Sequence, residues 1–252
     1  MADNECPVCG GTGWKIVERD GLRAAERCEC LSRDRTAELL EKARIPANYH
    51  GDRFENFSDR GSPELRMILT LLLRYCEEFP QVDPPGLLLI GEPGTGKTHL
   101  AVAVLKRLIE IGFPGVFMDY QTLLERIRAS YDPASGESPR EAYETALEAE
   151  VLLLDDLGAH RVTDWVEDTV TSIITHRCNG RRPLIATTNL PDPDMGGTII
   201  ERLPEGAAAR YDIRTTLADR IGIRARSRLF EMCRVVRMPR VGDYRIAMRR
   251  PG

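Results

Sequence analysis

The 252-residue sequence predicts an α/β fold: a parallel sheet between two helical layers, preceded by a small cysteine module. Three observations carry that reading. From about residue 85 onward, short and continuously apolar runs alternate with amphipathic stretches, the pattern of parallel strands buried on both faces. Polar residues fitted for chemistry fall directly after those runs, where open α/β sheets hold their ligands. Four of the seven cysteines crowd into the first 30 residues, apart from the rest.

The cysteines come first in the chain. They read Cys6-Pro7-Val8-Cys9-Gly10-Gly11 and then Cys28-Glu29-Cys30, two close pairs separated by 18 residues. That spacing matches a closed tetrahedral Zn²⁺ site. A disulfide and free thiols are the competing readings, and a cytosolic chain disfavours the disulfide. Trp14–Val17 and Leu22–Ala24 form a short predicted hairpin around Asp20-Gly21. A unit this small buries too little surface to fold without its metal. Residues 31–45 read as a helix with Leu39, Leu40 and Ala43 on one face, ended by Pro46. The next segment, Tyr49 through Phe57, is a loop with three aromatics. They either cover an adenine base or dock the linker on the core, and docking is the favoured reading. Glu64–Phe79 is an amphipathic helix, and Pro80, Pro84 and Pro85 break the chain before the first sheet strand.

That strand, Leu87-Leu88-Leu89-Ile90, runs into the octapeptide Gly91-Glu92-Pro93-Gly94-Thr95-Gly96-Lys97-Thr98, and a helical pattern from His99 to Ile109 follows. Strand, glycine-rich loop, Lys-Thr and helix are the complete context of a phosphate-binding P-loop. Gly91, Gly94 and Gly96 let successive N–H groups turn toward a phosphate. The helix starting near Lys97 adds its positive dipole end. Lys97 is expected to reach the β- and γ-phosphates, and the Thr98 hydroxyl to ligate Mg²⁺.

Gly115–Asp119 is the second strand, and Tyr120–Tyr131 a helix with Leu123, Leu124 and Ile127 apolar. A loop over 132–139 leads to a helix over 140–150. Val151–Leu154 is a buried strand ending in Asp155-Asp156. Asp155 is expected to hold Mg²⁺, through water or through Thr98, with Asp156 placed to polarise the attacking water. Trp165–Asn179 is a helix and Pro183–Asn189 a strand. Asn189 is then an amide near the γ-phosphate that orients water, although Asn also suits a turn before Pro191. From Glu201 the pattern is helical, with Val235–Met238 as a late strand. Arg224 and Arg228 stand four apart on one helical face, an arrangement that can offer a guanidinium to a neighbouring subunit's γ-phosphate. Cys76, Cys178 and Cys233 sit in apolar helical patterns as packing residues.

The net charge of −4 conceals an asymmetry: residues 202–252 hold 13 Arg, no Lys and 5 acidic residues. The acidic bulk of the chain argues against non-specific coating of nucleic acid, while a local basic channel stays open. No run of 18 apolar residues is present, so no membrane span is expected. The polar, acidic start is unlike a signal peptide, and a cytoplasmic location is expected.

Together these motifs resemble the AAA+ ATPases of the bacterial replicative helicase-loader group, of DnaC and DnaI type, and the related IstB-like transposition ATPases. The resemblance rests on Gly91–Leu100, Leu152–Ala159, Ala186–Leu190, Arg224–Leu229 and the linker Ile45–Tyr49 with Phe54–Phe57. It implies a P-loop AAA+ three-layer α/β/α fold over 85–252, a linker and helix over 46–84, and a helicase-binding zinc module over 1–45. It further implies an ATPase using ATP and Mg²⁺, with Lys97, Thr98, Asp155 and Asp156 at its centre and Asn189 as nucleotide sensor. Arg228, with Arg224 beside it, would act in trans within an ATP-state homo-oligomer, and Arg245 in Asp243-Tyr244-Arg245 would also sense nucleotide. Residues 120–150 would touch single-stranded DNA, with Arg126 and Arg128 as the phosphate contacts. The implied partner is the hexameric replicative helicase; a transposase is the alternative. Asp156 stands where many AAA+ proteins carry Glu, so slow hydrolysis is expected.

Overall fold

In the computed structural model the described residues are 9, 14–19, 22–27, 29–129, 141–160, 163–192, 215–242 and 244. Two strands, β1 (Trp14–Arg19) and β2 (Leu22–Arg27), pair antiparallel as the predicted hairpin, with Trp14 opposite Arg27. Helix α1 (Glu29–Lys42) follows and delivers the chain to the edge of the main sheet, where the Ala43 carbonyl accepts a 2.8 Å hydrogen bond from Phe117 N.

The main sheet has five strands: β3 (Gly86–Ile90), β4 (Gly115–Asp119), β5 (Val151–Asp155), β6 (Leu184–Thr188) and β7 (Cys233–Arg237). Their order is β4-β5-β6-β3-β7 and every ladder is parallel. The three inner strands are buried at every position, which is why their sequences are unbroken apolar runs and show no alternation. The two-residue period of a strand still sorts them. Leu87, Leu89, Leu153 and Ile185 point into one core, with α2 (Pro63–Glu78) and α3 (Lys97–Glu110). Leu88, Ile90, Leu152, Leu154 and Ala186 point into the other. That second core holds α4 (Tyr120–Ala129), α5 (Glu141–Glu148), α6 (Asp164–Asn179), α7 (Leu217–Ile221) and α8 (Ile223–Met232). The expected three-layer arrangement is therefore present.

Helix starts follow local chemistry. Ser62 caps α2 by accepting from Leu65 N, with Pro63 at the first helical position, and Thr163 caps α6 by accepting from Val166 N. By contrast α3 has no side-chain cap; it begins at the phosphate loop.

Beyond shifts of one to three residues at the ends of helices and strands, two elements differ from the sequence reading. The helical stretch near the C-terminus is two helices, because Gly222 at φ +82° interrupts it with the Glu167 side chain packed where a Cβ would stand. The late strand starts at Cys233, not Val235: α8 passes straight into β7, whose pairing with β3 begins at Gly86↔Cys233. Cys76 and Cys233 are buried as expected, whereas Cys178 is only half-buried.

Candidate functional site

The site forms where β3, β5 and β6 end side by side. Chain direction reverses its spread across the sheet at β3, whose neighbours are β6 and β7, and such a switch point opens a crevice above the strand ends. Gly94 and Gly96 take φ of +75° and +94°, the left-handed region that folds residues 91–96 into a cradle. Gly91 N donates to Thr188 O (3.3 Å), which ties the loop to β6. The Lys97 ammonium and the Thr95 hydroxyl both donate to the Glu92 carbonyl, each at 2.8 Å, holding the cradle closed around itself. The Glu92 side chain lies outside, near Arg240.

The carboxylates are wired into this cradle. The Thr98 hydroxyl donates to Asp155 at 3.0 and 3.2 Å to its two oxygens. Thr187 Oγ1 donates to Asp155 Oδ1 at 2.6 Å and accepts from Asp156 N at 3.0 Å. Asn189 Nδ2 donates to Asp156 Oδ1 at 2.9 Å. Asp156 itself sits at φ +55°, a conformation that turns its carboxylate off the strand line. Burial raises the Asp155 pKa above its ordinary value, partly offset by the Thr187 and Thr98 hydroxyls and reinforced by the nearby Asp156 charge. A desolvated carboxylate beside a hydroxyl, both hard oxygen donors, fits a Mg²⁺ ion. Lys97, Thr98, Asp155, Asp156 and Asn189 are thus brought together as the sequence predicts.

Beside this wiring lies a cavity of about 260 Å³ between residues 93–99 and the linker, with Asp156, Asn189 and Tyr244 also on its wall. All three linker aromatics, Tyr49, Phe54 and Phe57, pack against the core on the α2/α3 side, the docking role favoured from sequence. Tyr49 docks, its ring 6.1 Å from that of Phe117. Phe57 covers the cradle: a Cβ on Gly96 would lie 2.6 Å from the Phe57 ring. His99 holds the same wall, its Nε2–H donating to Arg53 O at 2.8 Å and its ring edge-on to Phe57 at 5.3 Å.

Lys106 was not visible as a site residue, since its flanks, Val104-Leu105 and Arg107-Leu108, read as ordinary amphipathic helix. It is 5% exposed, and its ammonium donates to Tyr49 O (2.9 Å), His50 O (2.8 Å) and Asp52 O (3.0 Å). The linker is thereby clasped to α3, at the cost of a desolvation that lowers the Lys106 pKa. Thr187 was also missed as a ligand of the two aspartates; the signal was a hydroxyl at the end of an otherwise apolar strand.

Other expected residues stand apart. Arg224 and Arg228 lie on the exposed face of α8, Arg228 paired with Glu231 at 2.7 Å, and neither lines the cavity. Arg126 and Arg128 lie in the last turn of α4, with the Arg128 guanidinium over the Trp165 ring at 5.4 Å. Arg245 falls outside the described residues, as do Cys6, Cys28 and the Cys30 side chain. Among the described residues no cluster of His, Cys, Asp or Glu stands ready to hold a metal, and no helix is long and apolar enough to cross a membrane.

Comparison with known proteins agrees with this geometry. The YqaM protein of Bacillus subtilis is 26% identical over 176 residues, 66% of this chain, which spans only 55% of that protein's length. The replicative helicase loader DnaC of Escherichia coli K12 is 22% identical over 196 residues, 76% of this chain and 79% of its own. A crystal structure of the DnaC helicase loader superposes with a TM-score of 0.61 at 28% identity, covering 77% of this chain and all of that one. A profile of the IstB-like ATP binding protein family matches residues 26–199. The chain belongs to that family, as an AAA+ protein of the DnaC/IstB type.

Proposed function

We propose that this protein is an ATPase that loads the replicative DNA helicase onto single-stranded DNA, with ATP binding and hydrolysis acting as an assembly switch. The observation that carries the proposal is the match to the DnaC helicase loader, 28% identical over the whole of that chain, together with an intact set of nucleotide residues.

In this reading Lys97 leaves the Glu92 carbonyl for the β- and γ-phosphates, and the N–H groups of residues 91–96 line the phosphate chain. Thr98 and Asp155 would hold Mg²⁺, which supplies charge neutralisation between the phosphates. Asp156 polarises the attacking water, and Asn189 orients it. The Asp156–Asn189 hydrogen bond supports that division, since the amide fixes one carboxylate oxygen and leaves the other to water. With its short side chain Asp156 makes hydrolysis slow, which suits a timer. Arg228, assisted by Arg224, would reach the γ-phosphate of the adjoining subunit in a homo-oligomer, and Arg245 would sense the same nucleotide. Arg126 and Arg128 would contact the DNA backbone. The 1–45 module, organised by Zn²⁺ on Cys6, Cys9, Cys28 and Cys30, would grip the hexameric helicase, and the complex would work in the cytoplasm.

The test is co-elution of the full chain with the replicative helicase of its own organism under ATP, ADP and no nucleotide. A stable complex whose loading of single-stranded DNA responds to ATP supports the loader. No complex under any condition would favour the second reading, which the family match itself supports: an IstB-type helper ATPase that remodels DNA and recruits a transposase. For the trans arginine, Arg228→Ala subunits mixed with Lys97→Ala subunits should regain turnover; no recovery at any ratio counts against it.

A further inference from the structure

Asn189 is only as well placed as the loop that carries it. That loop, residues 189–192, is held at successive points. Leu190 N donates to Thr188 Oγ1 (3.2 Å), and Leu190 packs on Gly158 just past the aspartates. Pro191 O accepts from Leu217 N at 3.0 Å, the first residue of α7. Asp192, the last described residue of this segment, has a side chain that is fully buried. It accepts two hydrogen bonds from one guanidinium, Arg226 Nε at 2.6 Å and Nη2 at 2.5 Å. Arg226 is itself fixed, its guanidinium lying 4.4 Å over the Phe230 ring one turn along α8.

A carboxylate with no access to water has to be matched, and a planar guanidinium matches it in one register only. The two-bond fork therefore sets the distance and the rotation of α8 relative to the loop. Arg224 and Arg228, each two residues from Arg226, project from the opposite side of that helix into solvent. Movement of α8 has a rigid path inward: Arg226 to Asp192, along four loop residues to Asn189, and by its amide to Asp156.

We propose that Arg226 and Asp192 are positioning residues that hold Asn189 against Asp156 and so set how the site distinguishes ATP from ADP. The inference rests on the ATP-hydrolysing reading above.

The experiment uses the full chain with Mg²⁺, comparing wild type with Arg226→Gln, Arg226→Lys, Asp192→Asn, Asn189→Ala and the double variant Asn189→Ala/Arg226→Gln. Affinities for fluorescent ADP and for a fluorescent non-hydrolysable ATP analogue are measured alongside kcat and KM. Arg226→Gln is expected to leave ADP affinity within about threefold and to erase the preference for the ATP analogue to the level of Asn189→Ala, with kcat down about tenfold or more and KM little changed. Arg226→Lys, which keeps the charge and loses the fork, should behave like Arg226→Gln. Adding Arg226→Gln to Asn189→Ala should alter neither quantity by more than about twofold, because both act through one amide. Asp192→Asn, nearly isosteric, repeats the measurement if an Arg226 variant fails to fold. An intact ATP preference in the single variants, or effects that multiply in the double variant, overturns the proposal while leaving the ATP reading standing. A wild-type chain that binds neither nucleotide overturns both.

Discussion

Replacing Lys106 by Met tests whether the linker is clasped as described. The substitution keeps the aliphatic stem and removes the ammonium that serves Tyr49 O, His50 O and Asp52 O. Hydrogen bonds to a charged group are worth about 1.5–3 kcal/mol each, a gross loss of about 5–9 kcal/mol for three. Two effects reduce it. Burying an ammonium costs several kcal/mol, and Met does not incur that cost. The orphaned carbonyls also regain water if the linker lifts. The net expectation is a destabilisation of about 2–4 kcal/mol, concentrated in residues 45–57. Urea unfolding reads the total, and limited trypsin digestion reads the location, since Arg44, Arg53 and Arg60 flank and interrupt the clasped segment. Cleavage at Arg53 should accelerate well before global unfolding, and nucleotide should bind about tenfold more weakly as one cavity wall loosens. A loss below about 1 kcal/mol with an unchanged digestion pattern would refute the clasp.

Three further outcomes are expected. Asp155→Asn should raise the melting temperature of the nucleotide-free protein while removing Mg²⁺-dependent nucleotide binding. Burial raises the folded pKa of Asp155, so its charged form opposes folding at neutral pH, and the opposition fades as pH falls through that raised pKa toward the ordinary carboxylate value; a lower melting temperature would contradict this. Gly96→Ala should abolish nucleotide binding and cost about 1–2 kcal/mol for the left-handed backbone alone, with more from the clash with Phe57. Adding Phe57→Ala should recover stability but not binding, as thermal melts and titration would report. Arg177→Met should destabilise by about 3 kcal/mol, because its buried guanidinium serves the carbonyls of Ala146, Leu147 and Pro183 and so ends α5. Desolvation pushes the Arg177 pKa down to about 9. Hydrogen exchange over 141–148 should speed up in that variant; unchanged exchange would remove the argument.

The nucleotide cradle was legible because its residue types have few other uses in that order: a buried strand, turn-forming glycines, Lys-Thr, then helix. Asp155, Asp156 and Asn189 were legible because polar side chains at the ends of apolar runs fall at one edge of a parallel sheet. The supporting residues were not. Lys106 and Arg177 sit where an amphipathic pattern assigns a solvated cation, and only the packed structure shows carbonyls converging on each. Asp192 and Arg226 are 34 residues apart, and nothing local marks them as partners. The strand β7 was placed late because α8 runs into it without any turn residue. Gly222 was the available signal for the break between α7 and α8, and it lay inside an otherwise convincing helical pattern.

The contact between Phe57 and Gly96 changes what that glycine reports. Its hydrogen is demanded from two directions, by the phosphate turn and by an aromatic ring that belongs to the linker. A relative that had lost all use for nucleotide, yet kept its linker folded down, would still be held to glycine at this position. Among such relatives the position that distinguishes a working nucleotide site from a retired one is Lys97, whose ammonium meets the loop at the Glu92 carbonyl and takes no part in the contact between Gly96 and Phe57.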